Sequence, residues 1–234
     1  MKKTTALVEN SSKTVYETDK AGTWIQAYID EIPGSGSKKQ KIKGRAEANT
    51  VIAGTIFQFL NSYHVPTHFI KQVTGKELSI RQTEPIPIQV QVWNIASGSL
   101  SSRFDVAGGS DLPNPILEFY LVDEKKRDRQ INDYHAQALG IATQDEMRGL
   151  TRLAMKINAV LKSFFSRRGL ILADFMLEFG RLKGNVALTG DLTPETIQLL
   201  DRDTRKPVGP GAVGENIKDA AQLYAEITSR IVED

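Results

Sequence analysis

The sequence predicts an α+β fold, and three features carry that expectation. Strand-like runs cluster in the first third and again near the middle, with helices between and after them rather than in regular β-α-β alternation. The run Pro87–Trp93 alternates Ile88, Val90 and Val92 with Gln89, Gln91 and Trp93, the period of a half-buried strand. The stretch Gln144–Arg167 spaces Met147, Leu150, Ala154, Ile157, Leu161 and Phe164 by three and four, which puts them on one helix face.

The elements follow in order. Lys13–Thr18 and Trp24–Ile29 are β-rich runs separated by the turn residues Asp19, Lys20, Ala21 and Gly22. Ile32–Arg45 carries Lys38, Lys39, Lys41, Lys43 and Arg45 and has the composition of a surface loop, either solvated or able to close on an anion. Glu47–Ser62 reads as a helix that His64-Val65-Pro66 ends, because proline cannot continue it. Thr67–Val73, Glu77–Arg81 and Pro87–Trp93 are strands, Asn94–Ser102 a small-residue loop, and Pro115–Leu121 another apolar run. Thr143 and Glu146 form a capping box at the head of the long helix, and Gly169 stops it. Gly169–Phe179 reads as a buried strand with Asn185–Thr189 as its hairpin partner across Gly180–Gly184, and Val213–Ile231 as a final helix.

Composition narrows the chemistry. The 234 residues carry 30 basic and 28 acidic side chains, a net charge of +2, which is not the basic excess of a bulk nucleic-acid binder. Cysteine is absent, so disulfides, thiolate metal sites and cysteine nucleophiles are excluded. No leader or membrane-spanning run is legible, and a cytoplasmic chain without membrane partners is expected. Catalysis is left to carboxylates, lysines, hydroxyls or a hard metal ion.

Carboxylates on an apolar strand are the strongest local signal. Asp174, Met176 and Glu178 alternate within Leu172–Phe179 and point to one side. Two carboxylates on one face are costly to bury unless paired or bound to a cation. Asp191 follows the hairpin partner, so Glu178 and Asp191 are expected to converge at the hairpin's open end. They would form either a magnesium site or a set of structural ion pairs. Ser97-Gly98-Ser99 offers hydroxyls and backbone N–H groups to an anion, or is a flexible loop. His64, His68 and His135 show no ligand spacing and are expected to be structural.

Several motifs in collinear order resemble the SAICAR synthetase family. Lys13-Thr14-Val15-Tyr16 is similar to its GKxKxVY hairpin, Val65–Phe69 to its IPTHF segment, and Pro87–Leu100 to its PLEVVVRNxAAGSL signature. Leu172–Gly180 resembles LVDFKLEFG, and Gly190–Pro194 resembles the opening of its GDExSPD loop. The resemblance implies a two-lobed fold, with a small antiparallel-sheet lobe at 1–90 and a larger α+β lobe at 91–234. It implies ATP in the cleft between them, with magnesium held by Glu178 and Asp191. The reaction implied activates a carboxylate as an acyl phosphate, which an amine then attacks. Catalytic roles fall by the same resemblance on Asp174, Glu178 and Asp191, and nucleotide contacts on Lys13, Val15, Arg81, Glu178 and Asp191. Substrate contacts fall on Trp93, Asn94, Gly98, Ser99 and Gln198. A small-molecule nucleotide or nucleoside substrate and a homodimer are expected.

The departures have a direction. Ser11, Trp93, Val122 and Met176 stand where the family carries cations, and Gln198 stands near an arginine position. Each lost charge-assisted hydrogen bond to a phosphate or carboxylate is worth about 1.5–3 kcal/mol. The resemblance therefore implies a carbon–nitrogen ligase of the purine pathway or of purine-like nucleoside biosynthesis with an altered substrate. A relative that has abandoned ATP, and a non-catalytic ligand-binding paralogue, are the alternatives.

Overall fold

The computed structural model describes residues 1–33, 39–122, 129–210 and 219–232. Lys38 of the basic segment and residues 213–218 at the head of the expected last helix lie outside them. Two antiparallel sheets organise the chain. The first has the order β1-β2-β3-β7-β6, built from β1 (Lys3–Glu9), β2 (Lys13–Thr18), β3 (Thr23–Tyr28), β6 (Phe69–Thr74) and β7 (Glu77–Arg81). A short ribbon pairs β4 (Glu31–Pro33) with β5 (Lys39–Lys41). Helix α1 (Arg45–Ser62) packs Ile52, Ile56, Phe57 and Leu60 into the core below this sheet.

The second sheet runs β10-β9-β8-β11-β13-β14, with β12 also paired to β11. Its strands are β8 (Glu84–Ile95), β9 (Asp111–Leu121), β10 (Arg129–Ile131), β11 (Leu170–Leu182), β12 (Asn185–Leu188), β13 (Ile197–Asp201) and β14 (Pro207–Val208). The remaining helices are α2 (Gly98–Phe104), α3 (Asp133–Ala138), α4 (Gln144–Ser166) and α5 (Ala220–Val232). The reciprocal capping box of Thr143 and Glu146 opens α4, as the spacing predicts. Met147, Leu150, Ala154, Ile157, Leu161 and Phe164 all lie in the core.

The alternation read in Pro87–Trp93 holds through both central strands. Ile88, Val90 and Val92 of β8 and Phe175, Leu177 and Phe179 of β11 are in the core beneath the sheet. Their alternate neighbours form ranks on the other face. Tyr120, Gln89 and Glu178 face one another across β9, β8 and β11, as do Glu118, Gln91 and Met176. Ile116, Trp93, Asp174 and Gln198 make the third rank. One sheet thus divides its residues between core and chemistry.

Three sequence expectations change. The small-residue loop at Asn94–Ser102 is a helix from Gly98, because Leu100 is buried at 1% exposure and Arg103 anchors the far end to β9. Arg45 is not a solvated loop cation. Gly44 turns the chain at φ 85°, a conformation that favours glycine, and Arg45 enters α1 pointing inward at 3% exposure. The β11–β12 turn is also tighter than expected, since pairing persists to Leu182 and Asn185.

Candidate active site

The hairpin β1–β2 positions Lys13. The Asn10 side-chain oxygen accepts from the backbone N–H of Ser12 and of Lys13, each at 2.9 Å, an Asx turn that fixes the tip. Lys13 pairs with Tyr28 across β2–β3, so both side chains leave the same sheet face. There they meet Asp191, which comes from the segment between β12 and β13 of the second sheet. Lys13 Nζ lies 2.8 Å from Asp191 Oδ2. Gln26 Nε2 and the Tyr28 hydroxyl donate to Oδ1 at 2.8 and 3.0 Å. Burial and the Asp191 charge push the Tyr28 hydroxyl well above its ordinary pKa, so it stays a proton donor. Val15 lies on the same face, buried beside this cluster, and Arg81 donates to the carbonyls of Thr67 and Phe69.

Glu178 is brought against the Asp191 segment by backbone. The N–H groups of Thr189 and Gly190 both donate to the Glu178 carbonyl, at 2.9 and 3.1 Å. A Cβ at Gly190 would sit 2.7 Å from Glu178 Cβ, so only glycine permits this approach. Glu178 Oε1 accepts from Gln89 at 2.7 Å, and its other oxygen meets no donor among the described residues. No cluster of three or more acidic or histidine side chains fit for a metal occurs among the described residues. Glu178 and Asp191 nevertheless carry the hard carboxylate oxygens that magnesium takes, one or two of them with phosphate and water filling its shell.

Further along the polar face, Asp174 accepts from Gln91 at 2.9 Å and from Ser97 at 3.0 Å. Burial raises its pKa, and those two hydrogen bonds only partly oppose the shift. Asn94 and Asn158 exchange reciprocal amide bonds at 2.8 and 2.9 Å. Gly98 and Ser99 are exposed at the head of α2, and Gln198 lies opposite Asp174.

Trp93 has a specific partner. Its indole N–H donates at 2.8 Å to Glu118, which also takes both oxygens' worth of Arg103, at 2.8 and 2.9 Å, and the Tyr120 hydroxyl at 2.8 Å. Burial would raise the Glu118 pKa, but the donors from Arg103, Tyr120 and Trp93 outweigh it and hold the carboxylate below its usual range. The Arg103 guanidinium on this face is thereby already paired. Sequence reasoning missed Glu118, whose signal was its place two residues before Tyr120 on an alternating strand. An open cleft of about 450 Å³ beside the hairpin tip, lined by Glu9, Asn10, Thr14, Asp30 and Lys41 among others, borders the Lys13–Asp191 pair only through Tyr28.

The comparisons agree with this architecture. A family profile described as SAICAR synthetase matches residues 7–219. A phosphoribosylaminoimidazole-succinocarboxamide synthase of Desulfitobacterium hafniense is 34% identical over 234 residues, covering 100% of this chain and 98% of its own. One of Listeria innocua is 34% identical over 227 residues, covering 96% of each. A solved SAICAR synthetase in complex with ADP superposes at TM-score 0.90 with 31% identity, covering 97% of both chains. The Ehrlichia chaffeensis synthase also gives 0.90, at 28% identity over 97% of this chain and 98% of its own. These relatives place the chain in a class of carbon–nitrogen ligases of purine biosynthesis. The chain belongs to the SAICAR synthetase family.

Proposed function

We propose that this chain is an ATP- and magnesium-dependent carboxylate–amine ligase acting on a purine-pathway or purine-like nucleotide, with substrate contacts that differ from its relatives'. The observation that carries the reading is the Lys13–Asp191 bond between the two sheets, beside Glu178. Here Lys13, Val15 and Arg81 belong to the nucleotide side, and the lobes at 1–90 and 91–234 meet along β8. Glu178 and Asp191 would hold magnesium, which neutralises the β- and γ-phosphates. Lys13 adds a fixed cation where negative charge develops. The γ-phosphoryl passes to a substrate carboxylate, and an amine then attacks the acyl phosphate, forming the C–N bond and releasing phosphate.

Asp174 lies on the substrate side as the group that takes the proton from the attacking amine. Its raised pKa supports that role, because a base works best when its pKa approaches the operating pH. Asn94, Gly98, Ser99, Trp93 and Gln198 surround the acceptor. The pairing of Arg103 with Glu118 supports an altered substrate, since it leaves Asp174 and Glu178 as the uncompensated charges of the polar face. A cytoplasmic homodimer completes the reading.

The test is ADP release by the purified chain with Mg·ATP, a panel of carboxylate-bearing heterocyclic nucleotides and nucleosides, and an amino acid. Release that depends on both co-substrates is expected. Absence of Mg·ATP binding at millimolar concentration would overturn it.

A further inference from the structure

Four residues beyond Asp191, Glu195 is held by side chains of helices α1 and α5. Its Oε1 accepts from Arg45 Nε at 2.8 Å, from Asn49 Nδ2 at 3.1 Å and from the Tyr224 hydroxyl. Arg45 is buried, and its Nη1 donates to the carbonyls of Ile29 at 2.8 Å, Glu31 at 3.3 Å and Ser11 at 3.5 Å. Ser11 lies at the hairpin tip next to Lys13, and Ile29 follows Tyr28 on the neighbouring strand. One guanidinium therefore joins the backbone around Lys13 to the segment that carries Asp191, in parallel with the Lys13–Asp191 pair. The remaining donors arrive from helices, Asn49 from α1 and Tyr224 from α5.

The cluster is more than a helix contact. A separate small apolar cluster, Ile42 and Ala48 with Ala220 and Tyr224, already joins the start of α1 to α5. The Asn49 side-chain oxygen is buried with no partner among the described residues, so its amide is oriented through its nitrogen, toward Glu195. Glu195 itself sits at the surface with 30% of its side chain exposed, where an unbraced carboxylate would be mobile.

We propose that Arg45 is a positioning residue for the nucleotide site, fixing the Asp191 segment relative to the Lys13 hairpin through Glu195, with Tyr224 of the last helix as its support. The inference rests on the nucleotide reading above. It makes α5 part of the binding machinery although it lies outside the site.

The experiment compares wild type with R45M, R45K, E195Q and Y224F by calorimetric binding of Mg·ATP and by amide hydrogen exchange. Arg45→Met is expected to weaken Mg·ATP binding about tenfold, the size of one charge-assisted bond. Exchange should quicken between residues 190 and 197, and Arg45→Lys should recover part of the affinity. Glu195→Gln and Tyr224→Phe, which remove less, should each weaken binding about threefold and keep the readout if Arg45→Met does not fold. A rise in KM for ATP without a matching fall in kcat separates positioning from general loss of structure. Folded variants that bind Mg·ATP like wild type overturn the positioning role alone. A wild-type chain that binds no Mg·ATP overturns the nucleotide reading, and the positioning role with it.

Discussion

The ammonium of Lys13 and the carboxylate of Asp191 meet at 2.8 Å between the two sheets, with only about a tenth of either side chain exposed. Removing one partner of a buried pair strands the other. Lys13→Met should cost about 3 kcal/mol, the low end for such a loss, because Gln26 and Tyr28 still donate to Asp191. Chemical denaturation measures that cost. Calorimetry should show Mg·ATP affinity falling at least tenfold.

His68 sets an acid limit on stability. Burial first, then the charges of Lys13 and Arg81, lower its pKa to about 3 from 6.5. The unfolded chain thus takes up a proton that the folded chain refuses. Stability from this group is complete above about pH 6.5 and is lost progressively as pH falls toward 3, by up to about 4 kcal/mol. Urea unfolding between pH 7 and 4 should show the decline, and His68→Leu should flatten it.

Gly190 has no room for a methyl group. A Cβ there would press on Glu178 Cβ at 2.7 Å and on its backbone nitrogen at 2.9 Å. Gly190→Ala should destabilise by about 1–3 kcal/mol. It should also raise the magnesium concentration needed for half-maximal nucleotide binding, because Glu178 and Asp191 are forced apart. Gly184→Ala, in the open turn of the same hairpin, is the control for a merely local backbone effect.

Asp174 should shape the acid limb of the pH–rate profile. Its pKa lies above the usual carboxylate value, so kcat/KM should fall on acidification at a higher pH than an exposed aspartate would give. Gln91→Leu removes a hydrogen bond that favours the charged form and should move the limb further up. Asp174→Asn should abolish the rate without abolishing Mg·ATP binding.

Elements with a strong period were legible in the sequence. The α4 face and capping box and the β8 alternation were read from residue spacing because local pattern and tertiary environment agree there. The hairpin reading of β11 and β12 was legible too, and the segment after it returns to Glu178 through the backbone N–H groups of Thr189 and Gly190. Arg45 and α2 were misread for one reason. Glycine, serine and lysine dominate those segments, and local composition points to loop. The deciding partners are remote in sequence: Glu195 and Tyr224 for Arg45, and Glu118 for Arg103. Glu118 itself carried no motif, and its five hydrogen bonds come from four side chains on several elements. The short strand β13 adds to the far edge of β11, and β14 in turn adds to β13, which no propensity in Ile197–Asp201 announces.

The two-sided character of β8 and β11 separates what natural selection can vary. Positions 89, 91, 93, 174, 176 and 178 can be exchanged while 88, 90, 92, 175, 177 and 179 go on holding α4 to the sheet. A lineage could therefore trade arginine for tryptophan or lysine for methionine on one side and keep its scaffold intact. A single inserted residue would instead invert both sides at once. Such strands adapt by substitution and resist change in length, so a new specificity can arise here without a new fold.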